Sequence, residues 1–163
     1  MKAASSKQIK DELSHKTSKE LLAFCLRLAR FKKENKELLT YLLFEAEDEQ
    51  SYIESVKEWM KEEFISINKN RKTHYHTKKA VRQVLKNVKK YIRYSANKET
   101  EVVLLIGFCQ IYRDYIPLAR KRLVFKNIYD RQVELLKKRV LLLHEDLQYD
   151  YGLEIEALVK RMI

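Results

Sequence analysis

A chain of 163 residues carrying 34 Lys and Arg against 23 Asp and Glu has the length of one domain and a formal net charge of +11, a balance that points toward polyanionic partners. Two glycines and one proline leave little material for turns and none for a Gly-rich phosphate loop. There is also no Asn-Gly or Asp-Gly hairpin turn and no sustained apolar/polar alternation, so appreciable β-structure is excluded. The expected class is all-α: one compact multihelical domain of about seven antiparallel helices, an irregular bundle over residues 17–163, with a HEAT- or TPR-like stack as the alternative.

Residues 1–16 read as a polar, partly helical segment with isolated Ile9 and Leu13. Thr17-Ser18-Lys19-Glu20 has capping-box form, and the helix it opens runs to about Phe31. Its residues Leu21, Leu22, Phe24, Cys25, Leu28 and Phe31 are expected to be buried, while Arg27 and Arg30 must point to water. The next helix is predicted over 34–47 with Leu38, Leu39, Leu42 and Leu43 inward.

Residues 45–63 then carry eight acids against Lys57 and Lys61. A helix over 50–68 should bury Ile53, Val56, Met60, Phe64 and Ile67, with Glu54, Glu58 and Glu62 in a row beside that face. The charge now reverses. Residues 64–98 hold eleven Lys and Arg and no acid, a surplus equal to that of the whole chain. Within them the spacing of Val81, Val84, Leu85, Val88 and Ile92 predicts a helix over 77–95 with one core face. Lys78, Lys79, Arg82, Lys86, Lys89, Lys90 and Arg93 fill a separate arc of about 120°. Glu54, Glu58 and Glu62 are expected to face that arc in part, because the link between the two helices is short.

Asn97 is the expected N-cap of a helix whose body, 102–112, is apolar nearly all round and therefore belongs in the middle. Pro117 stops it. A long helix is predicted over 120–148, with Val133, Leu136, Val140, Leu143 and Leu147 as its core seam and Lys137, Lys138 and Arg139 outside it. Gly152 is expected to end or re-aim the chain before a short last helix that buries Ile155, Leu158, Val159 and Met162. Most of the core should come from the helix at 17–31, the central helix and the long helix.

Catalytic and metal chemistry find little purchase. Glu12-Leu13-Ser14-His15 is a lone Glu-x-x-His, where a carboxylate-bridged metal site needs two. His74 and His76 lack two further ligands nearby in sequence. Cys25 and Cys109 sit on apolar faces, a poor setting for a reactive thiolate. The carboxylates Glu45, Glu47, Asp48 and Glu49 read as a solvated loop, and His144 as a cationic side chain closing a helix. No catalytic residue, metal or cofactor is assigned, and the expectation is a non-enzymatic interaction module.

The basic helix remains. Its seven cations are the candidate anion-binding residues for nucleic acid bound without sequence preference, with Tyr75, Tyr91 and Tyr94 as candidate base or sugar contacts and Arg120, Lys121, Arg122 and Lys126 as an extension. The alternatives are an acidic protein surface as partner, a homo-oligomer, or a face that is merely solvated. Without a secretory signal or an apolar run long enough for a span, a cytoplasmic location is expected.

Overall fold

The apolar stretch 102–112 dictates the packing around it. In the computed structural model, which describes residues 2–70, 73–117 and 121–160, this stretch lies in α6 (Lys98–Tyr115), and Val102, Leu104, Leu105, Ile106, Gly107, Phe108, Cys109 and Tyr112 are all buried. Before it come α1 (Ser6–Ser14), α2 (Ser18–Phe31), α3 (Lys33–Thr40), a π-helical turn (Tyr41–Glu45), α4 (Glu49–Lys69) and α5 (His74–Ser95). After it come α7 (Leu123–Val140) and α8 (Glu145–Lys160). No strand occurs among the described residues, and the all-α class is what the structure shows. The chain forms two compact units, Met1–Phe44 and Glu45–Ile163, so the division falls inside the segment read from sequence as one domain.

In the second unit α4, α5, α7 and α8 all pack on α6. Each contributes one apolar face: Tyr52, Ile53, Val56, Met60 and Phe64 from α4, Val81, Val84, Val88 and Ile92 from α5. Phe125, Ile128, Tyr129, Val133, Leu136 and Val140 come from α7, and Ile155 and Leu158 from α8. A chain of rings crosses this core, Phe64 to Phe108 at 5.6 Å, Phe108 to Tyr112 at 5.6 Å and Tyr112 to Tyr129 at 6.4 Å. Both buried phenols keep a partner, since Tyr112 Oη donates to the Phe125 carbonyl at 3.0 Å and Tyr129 Oη to the Leu158 carbonyl at 3.1 Å. At Gly107 the missing Cβ lets the stem of Lys57 lie against α6; a methyl there would meet its Cε at 3.2 Å.

Several predicted features are corrected. No residue of α2 is buried, so the expected core face of Leu22, Phe24, Cys25, Leu28 and Phe31 is at the surface, with Leu21 half-buried. Three short helices are too few to enclose an apolar arc spanning more than half of α2, and Tyr41 is the one buried side chain among the described residues of that unit. The capping box is there as expected, Thr17 N–H donating to Glu20 Oε2 at 2.9 Å and Glu20 N–H to Thr17 Oγ1 at 3.3 Å. The helix predicted over 34–47 ends at Thr40, and the wider π turn that follows shifts the register. Leu38 and Leu39, before the turn, are only half-buried, and Leu42 and Leu43, within it, are exposed.

The predicted long helix is two. Leu142 and Leu143 N–H donate to the carbonyls of Arg139 and Val140, three residues back, which tightens and ends α7. Glu145 and Asp146 then suit the positive end of α8, so His144 precedes a helix start rather than closing a helix, with Nδ1 3.3 Å from Asp146 Oδ2. Gly152 does not stop the chain; it lies inside α8. A mid-helix glycine costs only about 1 kcal/mol, less than the burial of Ile155 and Leu158 returns. Val159 is exposed, and Met162 lies outside the described residues.

Leu105 has no exposed surface, so Leu105→Ala should lower the unfolding free energy by about 2–5 kcal/mol. The same change at Leu141, 69% exposed, should cost less than about 0.5 kcal/mol, both read by urea titration with circular dichroism.

Candidate nucleic-acid interface

The basic helix begins one turn earlier than its apolar periodicity predicts. Thr73 caps it, its Oγ1 accepting from His76 N–H at 3.3 Å, so His74, Tyr75 and His76 form the first turn. Its apolar arc is spent on the core. Arg82, Lys86, Lys89 and Arg93 consequently line a cleft of about 680 Å³ between α5, α6 and α7, floored by Leu85, Ile92, Leu105 and Leu135. Across that cleft Arg139 of α7 approaches, its Nε 2.9 Å from Oε1 of Glu101, the one carboxylate in the lining. Lys78 lies farther up the stripe in a smaller cleft of about 260 Å³ with Tyr75, Arg122, Val124 and Phe125.

The seven predicted cations thus divide. Lys78, Arg82, Lys86, Lys89 and Arg93 border the two clefts, whereas Lys79 is exposed off them and Lys90 lies over the rings of Tyr91 and Tyr94 at 5.1 and 5.9 Å. The tyrosines divide too. Tyr91 packs edge-on against Trp59 at 5.2 Å and its carbonyl accepts from Tyr52 Oη at 2.9 Å, so it belongs to the α4–α5 contact, and Tyr94 lies tilted beside it at 6.1 Å, half-buried. Tyr75 stays 65% exposed. Of the expected extension, Lys121 is exposed, Arg122 joins Lys78, and Lys126 turns to a separate cleft beside Asp130 and Glu134; Arg120 lies outside the described residues.

The acidic row of α4 does not neutralise this stripe. Glu54 accepts from Gln50 Nε2 at 2.8 Å, Glu58 pairs with Lys61 at 3.6 Å, and Glu62 is exposed, with no ion pair to α5 from any of the three among the described residues. Two carboxylates of the acidic loop serve the scaffold instead. Asp48 caps α4 by accepting from Ser51 N–H at 3.0 Å, and its hydrogen bonds from Ser51 hold its carboxyl pKa below the usual carboxylate range. Glu49 accepts from the hydroxyls of Ser95 and Thr100, tying α4 to the corner between α5 and α6.

Arg139 and Glu101 were not singled out by sequence. Arg139 was grouped with Lys137 and Lys138 as outside the core seam, and nothing local separates the three. No group of three or more His, Cys, Asp or Glu side chains able to hold a metal occurs among the described residues, and none of their helices is long and apolar enough to cross a membrane. Burial pushes the Cys109 thiol up to about 12. Nearby Arg113 is also buried and is held protonated chiefly by its hydrogen bond to Asp114, Nε to Oδ1 2.8 Å. No protein-family model, curated protein or solved structure matches this chain.

Because Cys25 is exposed and Cys109 buried and protonated, a disulfide-exchange reagent at pH 8 should titrate one thiol in the native protein and two in denaturant. Rapid native reaction of both would contradict the packing around α6.

Proposed function

We propose that the protein is a non-enzymatic module that binds the phosphate backbone of nucleic acid, without marked sequence preference, through Lys78, Arg82, Lys86, Lys89 and Arg93. The observation that supports this reading is the shared cleft: four α5 cations and Arg139 line it, with Glu101 as the only carboxylate among the described residues of the lining. The stripe from Lys78 to Arg93 rises about 22 Å along a helix braced by α4 and α6, long enough to follow several phosphates at about 3.4 Å per nucleotide. Phosphate contacts position a protein without specifying sequence, and the stripe offers no Asn or Gln for a bidentate reading of adenine.

An acidic amphipathic helix is the second reading, favoured by the apolar floor of Leu85, Ile92, Leu105 and Leu135 beneath the cationic rim.

Salt separates a phosphate interface from a solvated one. Four or five contacts predict a slope of log affinity on log salt near −4 on duplex and near −3 on single strands. Replacing Arg82, Lys86 and Lys89 with Gln should flatten it by about two to three units and leave the helical spectrum unchanged. No binding to DNA or RNA at about 50 mM salt would overturn the reading. Glu101→Gln, which removes the lone carboxylate, should tighten binding by about two- to fivefold in the same titration.

A further inference from the structure

We infer that the nucleic acid is single-stranded and that Tyr75 is the platform on which one of its bases stacks; this rests on the phosphate-binding reading above. Two features of the stripe select a single strand. The first is that α5 is not a projecting helix. A B-DNA major groove about 12 Å wide admits one helix of 10–12 Å diameter, and α5 is flanked by both α4 and α6. A duplex therefore reaches only the outermost cations. The cleft itself, about 680 Å³, falls in the range that encloses a small molecule and accommodates a base or a sugar with its phosphate. Its floor, where Leu85 and Leu135 are only half-buried, offers apolar surface to such a unit, which a paired and stacked base cannot use.

The second feature is Tyr75 itself. A helix-start tyrosine that served the fold would be covered, as Tyr91 is by Trp59, yet Tyr75 is 65% exposed. It lies seven residues before Arg82, two helical turns, and so on the same stripe as the cations. The separation is about 10 Å along the axis, the reach of two or three nucleotides. Lys78 Nζ lies over one face of its ring, 5.9 Å from the centroid, and Arg122 shares its cleft, so two cations stand beside the platform within reach of a strand's phosphates. An aromatic platform at the end of a cationic track is how single strands are held without reading their sequence.

The test is fluorescence anisotropy at about 50 mM salt with three labelled probes of about 16 nucleotides, a thymidine oligomer, an abasic strand of equal length and a mixed-sequence duplex. The full chain and Tyr75→Ala are compared; Tyr75 is exposed, so the variant should keep the native melting profile. The expected result is that the thymidine oligomer binds at least about tenfold tighter than the duplex. Tyr75→Ala should weaken the oligomer by about 5- to 140-fold and leave the other two within about twofold. If the duplex binds as tightly, or Tyr75→Ala binds the oligomer like the parent, the single-strand inference falls while phosphate binding stands. If none of the three binds, both fall.

Discussion

The rest of the second unit depends on covering α6. A helix whose residues 102–112 are apolar nearly all round, Gln110 excepted, cannot leave a broad side in water, and a stable domain has only about 5–15 kcal/mol in hand. Each fully buried Leu, Phe or Val contributes about 1.5–3 kcal/mol, so exposing even one side of α6 would remove much of that margin. Four helices are needed to enclose it, and α4, α5, α7 and α8 supply them. This requirement fixes the rotation of α5. Its only apolar arc, Val81, Val84, Val88 and Ile92, must face inward, which sends the arc of Lys and Arg to the surface. Turning α5 the other way would bury unpaired cations, a cost no packing gain offsets. The basic surface is in this sense a consequence of the core.

What was legible in the sequence follows the same logic. The apolar arcs of α4 and α5 were readable because a period of 3.6 with clear polar faces leaves one solution, α6 because a run apolar nearly all round must be enclosed, and the caps Thr17 and Asn97 because their side chains act within three residues. The fate of α2 was not. Periodicity shows that a face is apolar but not whether enough neighbours exist to cover it, so Phe24 and Phe31 read as core and lie exposed. The break at 141–144 was hidden because Leu143 and Leu147 continue the seam of α7 across it; only the acidic pair Glu145 and Asp146 marked a new start. Gly152 misled in the opposite direction, since a glycine's helix penalty is small against the burial on either side.

The site was half legible for a related reason. A helical stripe of cations is a one-dimensional pattern, and five of its seven members do border the clefts. Which tyrosine is free, and that Arg139 and Glu101 complete the rim, are matters of tertiary placement between residues far apart in sequence. Tyr75 and Tyr91 look alike in the sequence; Trp59 and Tyr52 on another helix make one of them structural.

The shape of the cleft is governed by the corner between α5 and α6. Only Ala96 and Asn97 join the two helices, and Ala96 adopts a left-handed conformation, φ 53°, that a residue with a Cβ takes at a cost of about 1–2 kcal/mol. That cost is held by bonds converging on the corner. Asn97 Oδ1 accepts from Glu99 and Thr100 N–H at 2.8 and 3.3 Å, Glu49 binds Ser95 and Thr100 from α4, and Tyr151 Oη donates to Glu99 at 2.8 Å from α8. Arg93 and Glu101, both in the cleft lining, lie within a turn and a half of this corner, on opposite sides of it. The corner that joins α5 to α6 beside the cleft is thus held by side-chain hydrogen bonds from both helices and from α4. Like charges on α5 repel one another, and packing on α4 and α6 holds the helix in place against that repulsion.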